Sequence, residues 1–208
     1  MRVKICGLTR LQDAELALSL GATELGFIFA PSPRKITLAV AQVMRASLGP
    51  EAQMVGVFAD QDLNSMLEIV EAASLNAVQL HGRETAAGIE ALKLKVPGLR
   101  IIKAIPEKEG TLTLNPLDYK MCAALLFDSS GSHFMPAERR PITTKILSTM
   151  PFYLAGGLSA QNILSLIDLH QPYGVDLSSG VESSPGIKDP TLLKELFSLL
   201  KDSACLPQ

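Results

Sequence analysis

Two side chains that can exchange protons each follow a short apolar segment of the chain. Cys6 comes after Val3-Lys-Ile, and Asp128 comes after four apolar residues at 124–127. A thiol with a pKa of about 8.5 becomes a useful base when a helix N-terminus or a cation lowers that pKa. A carboxyl group that is partly removed from water can act as a general acid. By position alone, Cys6 can equally be an inert core residue, and Asp128 can anchor a neighbouring turn.

Two glycine-bearing turns near the C-terminus could bind an anion. They read Leu-Ala-Gly-Gly-Leu at 154–158 and Asp-Leu-Ser-Ser-Gly-Val-Glu at 176–182. Glycine lets the backbone approach an anion closely, and the amides of a helix N-terminus donate hydrogen bonds to it. One such turn is more often structural, but the pair together favours phosphate binding. The candidate substrate-binding residues in these turns are Gly156, Gly157, Asp176, Ser178, Ser179 and Gly180.

Further polar residues lie in the remaining loops. Arg34, in a proline-stiffened Ser-Pro-Arg segment, can grip a carboxylate or phosphate with two parallel hydrogen bonds, although a solvated surface arginine is the competing interpretation. His81 could titrate near neutral pH or simply position a neighbouring loop. The sequence does not indicate a role for Asp60 or Glu182. The pair at 188–189, Lys-Asp, is expected to cap the last helix.

The composition limits the classes of protein to consider. Hydrophobic residues make up 47% of the 208 residues and charged residues 19%, which indicates a globular protein. The net charge of −2 offers no basic field for nucleic acid or a membrane surface. Cys6, Cys122 and Cys205 lie far apart with no CxxC pattern, so we expect neither a disulfide framework nor a metal site. No signal peptide or apolar run of about 18 residues appears, and we expect a cytoplasmic protein.

The elements that carry these residues alternate regularly. Eight apolar runs are predicted as strands, at 3–7, 24–29, 54–58, 77–82, 100–105, 124–128, 152–157 and 174–180. Amphipathic segments lie between them, at 10–20, 38–48, 63–73, 85–96, 162–169 and 190–201. In the first helix, Asp13 and Glu15 are expected to face solvent. The fifth unit is the weakest, because its polar segment 106–116 leaves room only for a short helix.

This alternation predicts the fold and the location of the site. Strands that are apolar on both faces are typical of a parallel sheet covered by helices, and eight βα units close naturally into a (β/α)8 TIM barrel. No linker or change in composition divides the chain, so we expect residues 1–208 to form a single barrel domain. In such barrels the chemistry lies on the loops that follow the strands. Most of the polar residues named above lie toward the C-terminal ends of the predicted strands or in the loops that follow them.

Several segments together resemble phosphoribosylanthranilate isomerase of tryptophan biosynthesis. They are Val-Lys-Ile-Cys-Gly-Leu-Thr at 3–9, Gly-Phe-Ile-Phe at 26–29 with Ser-Pro-Arg at 32–34, Val-Gly-Val-Phe at 55–58, Val-Gln-Leu-His-Gly at 78–82, and the two glycine-bearing turns. The resemblance spans nearly the whole chain in the family's order. It implies an Amadori rearrangement of N-(5-phosphoribosyl)anthranilate to 1-(2-carboxyphenylamino)-1-deoxyribulose 5-phosphate, with no metal or organic cofactor.

The resemblance also implies a role for each matching residue. Cys6 would be the base that removes the C2′ proton, and Asp128 the acid that protonates the ribose ring oxygen. Arg34 would hold the anthranilate carboxylate, and the backbones around 156–157 and 178–180 would hold the phosphate. The partner is a phosphorylated small molecule, and the protein is expected to be a monomer or a homodimer.

One segment departs from the family pattern. Where family members carry a stretch resembling GGTGxxFDW, this chain reads Ser-Ser-Gly-Ser-His-Phe-Met-Pro-Ala-Glu-Arg-Arg at 129–140. One alternative is therefore a sugar-phosphate-binding barrel that has lost or altered its catalysis. Another, weaker alternative is a sugar-phosphate epimerase, although such enzymes tend to need a metal or a carboxylate pair. His133 and the arginines at 139–140 could replace what the family's glycines supply.

Overall fold

Eight parallel strands close into a barrel in the computed structural model, which describes residues 1–108, 111–129 and 150–203. The barrel strands are β1 (Arg2–Ile5), β2 (Glu24–Ile28), β3 (Met54–Phe58), β4 (Ala77–Leu80), β5 (Arg100–Lys108), β7 (Ala124–Asp128), β8 (Phe152–Ala155) and β9 (Gly174–Leu177). Each strand pairs with the next of these in parallel, and β1 pairs with β9 to close the ring. The predicted (β/α)8 barrel is confirmed.

The described helices cover the outside of the barrel. They are α1 (Leu11–Leu20), α2 (Leu38–Leu48), α3 (Leu63–Ala72), α4 (Ala86–Lys95), α5 (Ile163–His170) and α6 (Pro190–Asp202). Local signals fix where several of them begin. The side chains of Thr37, Asp62, Thr85 and Asp189 each accept a hydrogen bond from a backbone amide of the first turn. None of the helices in the described ranges is long and apolar enough to span a membrane.

Alternation along the strands divides the buried residues into two layers. One set of side chains points outward to the helices, and a second, smaller cluster fills the barrel with mostly short side chains around Tyr153. On β1, Val3 and Ile5 belong to the outer layer, so Lys4 and Cys6 point into the barrel. Lys4 lies in register with Glu24 of β2 and with Asp176 of β9. The interior is thus apolar in part and charged in part.

The structure differs from the sequence prediction in the fifth and eighth units. β5 continues to Lys108, beyond the predicted end at residue 105, because it pairs antiparallel with the short β6 (Thr111–Leu112). The predicted short helix of this unit is a single 3₁₀ turn, Pro116–Tyr119. The eighth strand ends at Leu177, and a 3₁₀ turn, Ser179–Val181, follows it.

An unpredicted hairpin and one charged residue also differ from the sequence prediction. A hairpin that was not predicted, β10 (Glu182–Ser184) with β11 (Ile187–Lys188), precedes α6. The prediction that Asp13 faces solvent is wrong, because this residue is only 3% exposed. Its carboxylate accepts hydrogen bonds from Arg10 and from the backbone amide of Lys188, and so joins α1 to β11.

Candidate active site

A cleft of about 230 Å³ lies at the C-terminal ends of the barrel strands. Every residue predicted for the site lines it: Cys6, Arg34, His81, Asp128, Gly156, Gly157, Asp176, Ser178, Ser179 and Gly180. The wall is completed by the side chains of four apolar residues and the amide of Gln79; the apolar residues are Ile28, Val57, Ala155 and Leu158. The structure therefore brings together residues that are spread over nearly the whole chain, although this placement does not by itself assign their roles.

Cys6 follows β1 and is held with its side chain buried at the base of the cleft. Its backbone amide donates to the carbonyl oxygen of Leu177, 2.8 Å away. Burial raises the pKa of the thiol, and the positive charge of Lys4 opposes that rise. The glycine at position 26 gives the thiol room, because a Cβ there would lie 2.7 Å from Sγ of Cys6 and 2.9 Å from Nζ of Lys4.

The ammonium of Lys4 also contacts a carboxylate inside the barrel. Nζ of Lys4 lies 2.9 Å from Oδ1 of Asp176, and both side chains are buried. Burial opposes the charge of Lys4, but Asp176 and Cys6 outweigh it, so the pKa of this lysine lies above its ordinary value. Burial raises the pKa of Asp176, with Lys4 acting in the opposite direction. Asp176 therefore belongs to the group of charged residues that surround Cys6.

Asp128 lies at the end of β7 with His81 beside it. Nε2 of His81 is 3.1 Å from Oδ2 of Asp128, and Nδ1 of His81 is 3.0 Å from the amide nitrogen of Gln79. An amide nitrogen can only donate, so Nδ1 accepts and the ring proton lies on Nε2, facing Asp128. His81 therefore contacts one carboxyl oxygen of Asp128 at the end of β7.

Arg34 is held in place by Glu182 rather than extended into solvent. Nε and Nη2 of Arg34 lie 2.9 and 2.7 Å from the carboxylate of Glu182, a two-pronged contact. Glu182 also accepts a hydrogen bond from Lys188 at 2.8 Å. Burial opposes ionisation of Glu182, but these two cations outweigh it and lower the pKa of the carboxyl. The loop after β2 is thereby tied to the turn after β9.

The two glycine-bearing turns meet at the mouth of the barrel. Gly156 and Gly157 have φ values of 85° and 65°, a conformation that favours glycine. A Cβ on Gly180 would overlap the carbonyl oxygen of Leu158, so this close approach of the two turns requires glycine. Asn162 fastens the first turn by donating to the carbonyl of Gly157 at 2.9 Å. The result is a pocket edge of closely spaced backbone groups, which suits a phosphate.

Some residues of the site were not predicted, or were predicted differently. Asp189 caps α6 as expected, but Lys188 does not cap it. Nζ of Lys188 instead donates to the carbonyls of Cys6 and Ser178 and to Glu182. Lys4 was missed, although a lysine in the middle of an apolar strand is a signal that could have identified it.

Other predicted residues lie away from the cleft or outside the described ranges. Asp60 does not line the cleft, and it pairs with the exposed Arg83 at 3.7 Å. The hypothesis that His133 and the arginines at 139–140 replace the family's glycines concerns residues outside the described ranges. Cys205 also lies outside these ranges. Within the described ranges, no group of three or more His, Cys, Asp or Glu side chains is placed to hold a metal ion.

Comparisons with known proteins identify the family. Residues 3–198 match the family model described as N-(5'phosphoribosyl)anthranilate (PRA) isomerase. The N-(5'-phosphoribosyl)anthranilate isomerase of Nostoc punctiforme is 38% identical over 206 residues, covering 96% of this chain and 98% of that protein. The corresponding enzyme of Gloeothece citriformis is 37% identical, covering 96% and 94%.

Solved structures give the same answer. The phosphoribosyl anthranilate isomerase from Thermus thermophilus superposes with a TM-score of 0.85 at 38% identity, covering 98% of this chain and all of that one. A second isomerase, in complex with reduced 1-(o-carboxyphenylamino)-1-deoxyribulose 5-phosphate, has a TM-score of 0.83 at 31% identity, covering 97% and 99%. The chain therefore belongs to the N-(5′-phosphoribosyl)anthranilate isomerase family, as its motifs predict.

Proposed function

We propose that the cleft isomerises N-(5′-phosphoribosyl)anthranilate to 1-(2-carboxyphenylamino)-1-deoxyribulose 5-phosphate, with Cys6 as the base and Asp128 as the acid. The observation that carries the proposal is the single cleft in which a buried thiol, a carboxyl group, a guanidinium group and two glycine-bearing turns meet. Its contents match the substrate, which has a proton to remove, a ring oxygen to protonate, a carboxylate and a phosphate.

The reaction can be followed proton by proton. Asp128 donates a proton to the ribose ring oxygen, the bond from that oxygen to C1′ breaks, and a Schiff base forms with the aniline nitrogen. The thiolate of Cys6 then removes the C2′ proton, and the electron pair moves toward that nitrogen. The resulting enolamine tautomerises to the ketone. The substrate's own nitrogen serves as the electron sink, so the proposal requires no cofactor.

The surrounding residues would bind the parts of the substrate that do not react. Arg34 holds the anthranilate carboxylate, and its orientation is set by the two-pronged contact with Glu182. The backbones around Gly156–Gly157 and Ser178–Gly180 hold the phosphate. His81 faces Asp128, and Asp176 lines the cleft beside them; both are assigned to the substrate-binding set. Holding both ends of the substrate orients C2′ and the ring oxygen between the base and the acid.

Two alternative functions receive less support. A barrel that only binds sugar phosphates was suggested by the divergent segment 129–140, but the residues proposed to act in the isomerisation all line one cleft, and the chain aligns over 96% of its length with named isomerases. An epimerase relying on a metal finds no matching cluster of ligands in the ranges described. The isomerase is therefore the function we test first.

The test is the consumption of freshly generated phosphoribosylanthranilate, followed through the loss of its fluorescence. Wild type should turn the substrate over, and Cys6→Ala and Asp128→Asn should each lower kcat by at least about a hundredfold, since each removes one proton-transfer group. Both variants should still be stabilised by a reduced product analogue, because the phosphate and carboxylate contacts remain. A wild-type protein that is stabilised by the analogue and turns nothing over would favour the binding-only alternative.

The remaining predictions concern the context in which the protein works. We propose a cytoplasmic protein whose residues 1–208 form one domain and whose partner is a phosphorylated small molecule. We keep both a monomer and a homodimer open. One related structure is of monomers generated from the dimeric isomerase of Thermotoga maritima. Light scattering on the purified chain gives the mass that decides between them.

A further inference from the structure

Among the residues that the structure describes, three lysine side chains are fully buried, and one of them differs from the other two. An ammonium group carries three hydrogen-bond donors. Nζ of Lys103 donates to the carbonyls of Leu80 and Gly82 and to Glu84. Nζ of Lys188 likewise finds three oxygen acceptors. These two lysines are satisfied by the protein, as a structural ammonium should be.

Lys4 has a single oxygen acceptor among the described residues, Oδ1 of Asp176 at 2.9 Å. Nζ of Lys4 borders the space beside Gly26, and Sγ of Cys6 borders the same space. A Cβ at position 26 would lie 2.9 Å from Nζ and 2.7 Å from Sγ, so the two atoms are close enough for a direct charge interaction. The absence of a side chain at Gly26 allows this approach.

We propose that Lys4 is a positioning residue for the base, and that its buried ammonium stabilises the negative charge on Sγ of Cys6 whenever that sulfur is deprotonated beside the cleft. This inference rests on the proposed function, because it deepens the role of Cys6 given there. A thiol in an apolar barrel stays protonated, and only a thiolate can accept the C2′ proton. The ammonium keeps its own proton throughout, so one proton moves from C2′ to sulfur and the charges balance.

The energetic cost of burying two charges also indicates a functional role for the ion pair between Lys4 and Asp176. Removing a lysine and an aspartate from water costs several kcal/mol, and a well-packed apolar pair in their place is often as stable or more stable. The Lys4–Asp176 pair is therefore weak evidence for stabilisation of the barrel. The pair lies next to Cys6, which is the only cysteine lining the described cleft. This position indicates that the positive charge of Lys4 acts on the Cys6 thiol.

The charged groups around Cys6 come from four elements. Lys4 lies on β1, Asp176 on β9, Lys188 on β11 and Arg34 in the loop after β2. Burial raises the pKa of the thiol, Lys4 lowers it, Asp176 raises it and Lys188 lowers it, in that order of size. Removing the charge of Lys4 should consequently raise the pKa of Cys6, and removing the charge of Asp176 should lower it.

The test is a pH titration of the Cys6 thiolate by its ultraviolet absorbance. Each protein is compared with the same protein carrying Cys6→Ala, which subtracts the signals of Cys122 and Cys205. We expect Lys4→Met to raise the midpoint by about one pH unit or more, so that about tenfold less thiolate is present at a pH below the midpoint. The acidic limb of kcat/KM should move up by the same amount, with KM little changed.

Lys103→Met is the matched control, because Lys103 is equally buried and pairs with Glu84 at 2.9 Å. This variant should lose stability, like Lys4→Met, while the Cys6 midpoint stays where it is in wild type. If Lys4→Met does not fold, the double variant Lys4→Met/Asp176→Asn removes both charges and leaves none unpaired. Its midpoint should still lie above that of wild type, since Lys4 acts on Cys6 more strongly than Asp176 does.

The outcomes separate this inference from the proposed function. An unchanged Cys6 midpoint in folded Lys4→Met, or in the double variant, would overturn the role of Lys4. A midpoint that rises equally in Lys103→Met would overturn it too, because the shift would then reflect a loosened barrel. If Cys6→Ala keeps full turnover, the assignment of Cys6 as the base fails instead, and the titration still reports whether Lys4 controls the thiolate.

Discussion

Single residues in this site act through their neighbours, and Glu182 shows this most directly. Its carboxylate is 4% exposed and binds both Arg34, in the loop after β2, and Lys188, on β11. Without its charge, a guanidinium and a buried ammonium would face each other uncompensated. Glu182 therefore orients the residue proposed to hold the anthranilate carboxylate, while the lysine it binds supports the carbonyls of Cys6 and Ser178.

Glu182→Gln should consequently destabilise the fold in a pH-dependent way. We expect a loss of about 3 kcal/mol in the free energy of unfolding at neutral pH, because one partner of a buried ion pair is removed. Burial raises and the two cations lower the pKa of this carboxyl, and the net result lies below its ordinary value of 4.5. A lowered native pKa stabilises the fold above pH 4.5, and that contribution is lost as the pH falls through the native value.

Urea unfolding at a series of pH values measures this difference. The gap between wild type and Glu182→Gln should be constant from neutral pH down to about 4.5 and shrink below it. Glu15→Gln, on the exposed face of α1, is the control and should change stability little at any of these pH values. A gap that is the same in acid as at neutral pH would show that the ion pair does not carry the effect.

At this scale, the residues predictable from the sequence are those whose signal is local. Cys6 and Asp128 each stand directly after an apolar run, and Arg34 lies in a proline-stiffened loop. The partners of such residues could not be predicted, since they lie far along the chain. Lys4 and Asp176 are 172 positions apart, and Lys188 reaches the carbonyl of Cys6 across 182 positions. Only the closed barrel makes neighbours of its first and last strands.

Among the elements, the helix boundaries were predicted well and the strand ends less well. α2, at Leu38–Leu48, has the predicted bounds, because Thr37 and Gly49 at its ends are local signals. β5 overruns its predicted end since its continuation depends on pairing with β6, which periodicity does not show. Asp13 is buried for a similar reason, because its partner lies on β11. A helical pattern indicates which face is polar but not what will cover it.

The turn after β9 makes a prediction at the scale of elements. Gly180→Ala should weaken phosphate binding, because a Cβ there overlaps the carbonyl of Leu158 and the two glycine-bearing turns must separate. We expect KM for the substrate to rise about tenfold, the cost of roughly 1.4 kcal/mol of lost binding, with a smaller change in kcat. The rise in melting temperature on adding inorganic phosphate is a second measure of phosphate binding.

Gly98→Ala is the matched control for this substitution, since a Cβ at that position would meet nothing within 4 Å. It should leave KM and the response to phosphate as they are in wild type. Should Gly180→Ala bind phosphate as tightly as Gly98→Ala, the contact between the turns would not form the phosphate site. A large fall in stability without a change in KM would lead to the same conclusion.

In the molecule as a whole, the residues proposed for catalysis and a set of residues that stabilise the barrel lie at opposite ends of the barrel axis. The cleft opens at the C-terminal ends of the strands, while a second polar network closes the N-terminal ends. There Glu24, at the start of β2, accepts hydrogen bonds from Arg2, Arg100 and the hydroxyl of Tyr153, each at 2.8 Å. This arrangement agrees with the general division of (β/α)8 barrels between a catalytic face and a stabilising face.

Glu24→Ala should therefore destabilise the barrel and spare its activity. We expect a loss of about 3 kcal/mol, because the carboxylate is fully buried and its removal leaves the Tyr153 hydroxyl and two arginines without their acceptor. At a temperature where the variant remains folded, kcat and KM should equal those of wild type, since Glu24 lies at the opposite end of the barrel from the cleft. Glu51→Ala, an exposed glutamate, controls for the loss of charge alone. A fall in kcat for folded Glu24→Ala would mean that the two ends of the barrel are coupled through the charged side chains of its interior.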